Sequence, residues 1–216
     1  RFLIATALLI LLSTYNFHDD QISNKSLNIN EIILENNSVI SDIQIKNNLA
    51  FLYETNLFFL NTNEIETKLK EIDLIKSFII KKIYPKKIKI IIFEKKPIAI
   101  LQNKKIKYFY TSDGETAKFL NLEEFKGLPI VFGDKKNFKS LYNNLKDIKF
   151  PINEIKTFFF FESKRWDLIT KEDQTIKLPI NNYTQSLKNF ENLRKKDSFE
   201  KYKIFDYRIN GQLILK

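Results

Sequence analysis

Two short apolar runs, Phe78–Ile83 and Ile88–Phe93, stand either side of Tyr84-Pro85. Pro85 fixes its own φ and pushes Tyr84 out of helical geometry, so the pair breaks the run without starting a helix. Isoleucine-rich runs of that length, bounded by Pro85 and Pro97, predict neighbouring strands of a hairpin. Upstream, Leu27–Leu34 predicts a further strand, ended by a turn at Asn36-Asn37. Ser41 and Gln44 form a capping box, and Ile45, Leu49 and Leu52 follow on one helical stripe. Asn56–Asn61 is a loop with apolar anchors. Asn63 then caps a second helix, with Glu66 at the box position and Ile65, Leu69 and Ile72 on one face. The predicted order from residue 27 to about residue 93 is strand, helix, helix, strand, strand.

The pattern changes after Ala99. Ile106–Tyr110 is a strand closed by the turn Ser112-Asp113-Gly114-Glu115, where Gly114 supplies positive φ. Pro129–Gly133 holds another short strand. Phe138, Leu141, Tyr142, Leu145 and Ile148 recur at helical spacing. Ile155–Phe161 and Arg165–Thr170 predict a hairpin, with Gln174–Leu178 beside it. Leu187, Phe190 and Leu193 mark a last helix. Ile204–Ile209 and Gln212–Leu215 flank Asn210-Gly211, a strong hairpin signal. The fold class is α+β, with a domain boundary near Pro97 and a second, mainly antiparallel β-domain with flanking helices.

The first residues carry a different signal. Phe2–Leu12 is apolar except for Thr6 and follows Arg1. One reading is the apolar core of a signal peptide. The other is a transmembrane anchor over residues 1–17 that lacks its first residues, since a spanning helix takes about 20 residues. No small-x-small cleavage site follows Leu12, and Tyr15 and Phe17 suit the interface, which favours the anchor. Arg1 favours a cytoplasmic N-terminus with the bulk outside. The missing initiator Met reads as a start inside a longer or processed protein.

Composition narrows the chemistry. The 216 residues are 44% hydrophobic and 14% aromatic, enough for packed cores. The absence of cysteine excludes disulfides and thiolate chemistry, and the only histidine, His18, argues against a zinc site or a His-based triad. No P-loop, GxGxxG or GxSxG motif occurs. The expectation is no catalytic residue, no metal and no cofactor. The net charge of +10 suits acidic surfaces, but abundant Lys, Asn and Ile reflect in part a genome low in G and C. Residues 81–96 hold seven Lys and one Glu. That is either a basic face for anionic lipid or acidic partners, or a solvated hairpin face. Glu123-Glu124 and Asp19-Asp20 are adjacent pairs whose side chains diverge in a strand. The run Phe158–Phe161 reads as alternating rings between a sheet and a covering helix, rather than as a base-stacking platform.

The element order before Pro97 resembles a POTRA domain. Asn56-Leu57-Phe58-Phe59-Leu60-Asn61, Lys82-Ile83-Tyr84-Pro85 and Glu94-Lys95-Lys96-Pro97-Ile98-Ala99 resemble, in order, segments of the FtsQ/DivIB family of bitopic cell-division proteins. Asp113-Gly114, Leu128-Pro129, Arg165-Trp166-Asp167-Leu168 and Asp206-Tyr207-Arg208 continue that order over essentially the whole chain. Each motif is short; their joint order carries the resemblance. Asn36-Asn37 departs from the family's usual Gly, and Asn tolerates the left-handed conformation such a turn needs. The resemblance implies an anchor at residues 1–17, a POTRA domain at 27–97 and a β-domain at 98–216. It also implies a non-enzymatic scaffold of the division machinery in the inner membrane of a Gram-negative bacterium. The protein would be single-pass, with its bulk periplasmic at the septum and other division proteins meeting the POTRA domain.

The candidate site is the terminal hairpin. A last strand leaves backbone groups unpaired, and a partner strand adds there unless charge protects the edge. Phe205, Tyr207 and Ile209 share one face; Ile204, Asp206 and Arg208 share the other. The resemblance implies capture there of the periplasmic coiled-coil segments of FtsB and FtsL, through Lys203, Phe205, Tyr207, Arg208, Ile209, Gln212, Leu213 and Leu215. Arg208 would grip a partner carboxylate, with Arg165 as a second cation for the same carboxylate. For Arg165 the alternative is a solvated residue stacked on an aromatic ring. Two other classes remain open: a POTRA-containing secretion or outer-membrane assembly factor, and a nucleic-acid-binding protein.

Overall fold

A computed structural model describes Thr6, residues 27–209 and residues 211–216. The anchor over residues 1–17, His18 and Asp19-Asp20 lie, Thr6 apart, outside the described residues. The chain divides into two compact units, ending and starting at Glu94 and Lys95.

The first unit is a three-stranded sheet under two helices. Its strands are β1 (Glu31–Glu35), β2 (Ile75–Ile83) and β3 (Lys87–Glu94), in the order β1-β3-β2. β3 pairs in parallel with β1 and antiparallel with β2. The helices are α1 (Asp42–Asn48), extended by a 3-10 turn at Ala50–Glu54, and α2 (Thr62–Lys70). Ser41 caps α1 by accepting from the Gln44 N–H, and Ile45, Leu49 and Leu52 are fully buried, as the stripe predicts. The cap of α2 is Asn61, two residues before the predicted Asn63, because the Asn61 side chain accepts from the Asn63 N–H at 3.0 Å. β1 starts later than predicted, since Asn28 forms an isolated bridge to Asn56. Asn36 takes the left-handed conformation at φ 65°, and its side-chain amide donates to the Ile92 carbonyl at 2.8 Å.

Glu94 closes this unit. Its carboxylate accepts from the Ser38 hydroxyl at 2.8 Å and from the N–H groups of Ser38, Val39 and Ile40 at 2.8–3.1 Å. The carboxylate thereby satisfies backbone N–H donors between β1 and α1 that have no ladder partner. Burial pushes the carboxyl up, but the hydrogen bonds to Ile40, Val39 and Ser38 outweigh it and hold it below its ordinary value.

The second unit is a nine-stranded mixed sheet. Its strands are β4 (Pro97–Asn103), β5 (Ile106–Thr111), β6 (Thr116–Lys118), β7 (Ile130–Phe132), β8 (Ile155–Phe160), β9 (Trp166–Thr170), β10 (Thr175–Lys177), β11 (Ile204–Asp206) and β12 (Ile214–Leu215). Their order is β12-β11-β10-β9-β8-β7-β4-β5-β6. The β4–β7, β7–β8 and β10–β11 pairings are parallel and the rest antiparallel. Two helices, α3 (Lys135–Asp147) and α4 (Tyr183–Leu193), supply Phe138, Leu141, Leu145, Leu187 and Phe190 to one core with Val131, Phe158, Leu168, Ile176 and Phe205. Trp166 packs on Phe160 with ring centroids 4.8 Å apart, directly over Gly133.

Glu94→Ala lowers the stability of the full chain by about 2 kcal/mol, because the half-buried Val39 and buried Ile40 N–H groups lose their acceptor. The native contribution is present above the ordinary glutamate value of 4.5 and is lost as pH falls through the lower folded-state value. Denaturant melts from pH 7 to pH 3 therefore converge for the two proteins. A Cβ at Gly133 would stand 2.9 Å from the Phe160 Cβ and 3.2 Å from the Trp166 ring. Gly133→Ala accordingly lowers the denaturation midpoint, at a cost of about 1–3 kcal/mol.

Candidate functional site

The predicted terminal hairpin is present, but not as drawn from the sequence. β11 is three residues long, and a seven-residue excursion, 207–213, replaces the two-residue turn; Asn210 lies outside the described residues. β11 pairs in parallel with β10, with Thr175, Ile176 and Lys177 opposite Ile204, Phe205 and Asp206. β12 closes antiparallel on β11 and is one edge of the sheet. The Lys216 N–H and carbonyl both bond Ile204, at 3.1 and 2.9 Å. By antiparallel alternation, Leu213 and Leu215 then turn their backbone groups away from β11, towards the open edge.

Two of the expected contact residues are corrected. Phe205 is 0% exposed and meets the Phe190 ring edge-on at 4.9 Å, so its side chain belongs to the core. Tyr207 is 7% exposed. Its hydroxyl donates to the Asn189 side chain at 2.9 Å, and burial pushes its phenol up. The face shared by these two in the strand reading is the face that α4 covers. Leu213 and Leu215 are half-buried against the same core. Lys203, Arg208, Ile209 and Gln212 are exposed.

The opposite face carries a row in register across the strands. Phe132, Phe159, Asp167, Lys177, Asp206 and Ile214 stand side by side from β7 to β12. Phe132 and Phe159 stack at 4.8 Å and 6°. Arg165 donates to Asp167 Oδ1 at 2.8 Å, and its guanidinium lies 4.2 Å over the Phe161 ring. Arg208 grips Asp206 by Nε at 2.9 and 3.0 Å and by Nη2 at 2.6 Å. The two buried carboxylates are two strands apart, roughly 10 Å at ordinary strand spacing, with Lys177 between them. Arg165 and Arg208 thus share one patch, each held by a carboxylate of its own chain. The Arg208 bonds hold the Asp206 carboxyl below the ordinary range. Burial pushes Asp167 up, offset in part by Arg165, Lys177 and Arg208.

The strand reading missed Asp167, Lys177 and Ile214 as members of this surface. A signal for the first existed: Arg165-x-Asp167 and Asp206-x-Arg208 are both charged pairs at i, i+2, the spacing that shares a strand face. Beside the edge, a groove of about 660 Å³ runs between the start of α4 and the excursion, lined by Asn182, Gln185, Asn189, Tyr207 and Leu213 among others. Among the described residues, no group of three or more His, Asp or Glu side chains is arranged to hold a metal ion. No helix among them is long and apolar enough to cross a membrane.

A three-stranded α+β unit followed by a mixed sheet is matched, unit by unit, by family models of bacterial division proteins. Residues 27–95 match the model of the POTRA domain, FtsQ-type, and residues 99–208 that of the cell division protein FtsQ/DivIB C-terminal domain. The chain is 30% identical over 185 residues to the cell division protein FtsQ of Rickettsia bellii, covering 83% of this chain and 68% of that protein. It is 26% identical over 184 residues to FtsQ of Rickettsia typhi, covering 83% and 69%. The chain belongs to the FtsQ/DivIB family of cell-division proteins. A solved structure of the major extracytoplasmic domain of DivIB from Geobacillus stearothermophilus, as its trans isomer, is similar over 47% of this chain and 92% of that one. That match has 10% identity and a TM-score of 0.33, a likeness too slight to carry weight.

Asp206→Asn frees the Arg208 side chain. Arginine Nε–H exchange, followed by NMR, is slow for Arg208 in the native chain and fast in the variant. In the native chain protection persists at and above the ordinary aspartate value of 3.8 and is lost only as pH falls through the lower folded-state value.

Proposed function

We propose that this chain is a non-enzymatic scaffold of the division machinery that captures the periplasmic segments of FtsB and FtsL at the free edge of its β-domain. In this reading residues 1–17 anchor it in the inner membrane, the N-terminus is cytoplasmic, and the POTRA and β-domains lie in the periplasm at the septum. The POTRA domain meets other division proteins. One observation carries the proposal: the outward backbone of β12 runs beside a patch on which two arginines are already oriented by buried carboxylates. A strand laid along Leu213–Leu215 gains main-chain hydrogen bonds. A carboxylate on that partner gains a pre-aimed guanidinium at Arg208 or Arg165, with little rotamer entropy left to lose. Ile209, Gln212 and Ile214 border the edge and would set side-chain preference. Membership of a cell-division family supports a division partner over a secretion cargo or nucleic acid.

Capture of the FtsB and FtsL periplasmic segments by residues 20–216 is the test. Removing residues 203–216 would strip Phe205 from the core and unfold the unit, so point changes are used. Leu215→Pro removes one outward N–H at an edge, where proline is tolerated. Arg208→Glu sets a like charge beside Asp206. Each weakens capture by roughly tenfold or more while the circular dichroism spectrum stays native. Undiminished capture by the proline variant sinks strand addition.

A further inference from the structure

The first unit carries an exposed aromatic tip that the scaffold reading does not use. Phe59 is 83% exposed, Phe58 54% and Tyr84 55%. Phe58 and Tyr84 bring one loop and the β2–β3 turn together, with ring centroids 4.9 Å apart. The display is built rather than loose. Leu57 and Leu60, either side of the two phenylalanines, are buried at 0% and 7% and pin the loop to the core. The Asn56 side chain accepts from the Phe58 N–H at 3.0 Å, and the Lys82 ammonium donates to the Leu60 carbonyl at 2.9 Å. A loop fixed at both ends has little order to lose on binding, yet it holds two phenylalanines in water.

Charge around the tip is mainly positive. Lys81, Lys82, Lys86 and Lys87 belong to the hairpin end, against Glu54 on the neighbouring 3-10 turn and Glu31, which pairs with Lys87 at 2.6 Å. Aromatic rings flanked by lysines match the interface of a bilayer with anionic headgroups, where rings sit at headgroup level and ammonium groups meet phosphate.

The path of the chain points the same way. Residue 27 enters the unit at this tip: the Leu57 N–H bonds the Leu27 carbonyl, Asn28 bridges Asn56, and the Asn30 N–H bonds the Lys86 carbonyl at 2.9 Å. Residues 18–26 span at most roughly 30 Å. If residues 1–17 lie in a membrane, the tip is the part of the unit tethered nearest to it.

We infer that Phe58, Phe59 and Tyr84, with Lys81 and Lys86, form a site that inserts into the headgroup region of a bilayer carrying anionic lipid. The tether to the membrane rests on the anchor reading; the chemistry of the tip does not. Insertion at this end fixes the first unit by a second point besides its tether, and so limits how it swings on the membrane surface.

The chain has no cysteine, so single Glu54→Cys and Glu71→Cys variants of the full chain each take one polarity-sensitive fluorophore. Position 54 adjoins the tip with all three rings intact. Position 71 follows α2 at the far end, near the start of β2. In phosphatidylethanolamine nanodiscs with phosphatidylglycerol, the probe at 54 shifts to the blue and the probe at 71 does not. The shift disappears without phosphatidylglycerol, and it disappears when Phe58→Ser and Phe59→Ser are added. Protein that enters the discs while position 54 stays as in buffer overturns the tip site and leaves the anchor reading intact. Protein that fails to enter overturns the anchor reading. The tip is then judged by flotation on phosphatidylglycerol vesicles, where binding lost in the double serine variant supports it and no binding overturns it. A shift that needs an added division protein, with none from lipid, overturns the lipid site in favour of a protein occupant.

Discussion

The parallel pairing of β11 with β10 decides what the C-terminal end of the sheet presents. Parallel strands need a crossover connection, and here α4 supplies it on the covered face. Phe205 is locked between that helix and the sheet, edge-on to Phe190. With Phe205 facing the core, Asp206 must face away, and the excursion 207–213 must return the chain to β12, which stands at one edge of the sheet among the described residues. The open edge, the buried tyrosine and the outward carboxylate are one consequence. Had β11 slipped by a single residue, the charge would point into α4 and the ring into water.

The row Asp167, Lys177 and Asp206 is held on that outward face at some cost. Two carboxylates that are 8% exposed are tolerable only because arginines satisfy them and Lys177 stands between. Burial wins at Asp167, whose carboxyl is pushed up, whereas the Arg208 fork wins at Asp206. The two carboxylates are therefore held differently, with the one gripped by the arginine fork beside the edge.

Much of the fold was legible because its signals are local. The stripe Ile45, Leu49, Leu52 and the paired isoleucine runs around Tyr84-Pro85 each need only a few neighbours to specify an element. The order of strand, helix, helix, strand, strand follows directly from them. The site was legible only in part. A period of two tells that Phe205 and Tyr207 share a face with Ile209, but not which face is buried, since that is set by α4 packing from elsewhere in the sequence. Parallel pairing leaves no local mark either, whereas Asn210-Gly211 suggests a tight hairpin that the 207–213 excursion replaces. The nearness of Arg165 to Arg208 came from family resemblance, although the matched Arg-x-Asp and Asp-x-Arg spacings were there to be read. The Asn61 cap was displaced by two residues because both asparagines suit the position and only backbone geometry separates them.

The first unit has one more property, set by where its chain comes in and leaves. It starts at the head of β1 and ends at the tail of β3, and these two strands run parallel with residues 31–35 against residues 87–91. Tension applied between residues 27 and 94 therefore loads every rung of that ladder together, sliding one strand along the other instead of peeling bonds off one at a time. β3 is also bonded on its other side to β2, and Glu94 ties its last residue to the 38–40 segment. A pull applied along that line is carried across a shear joint.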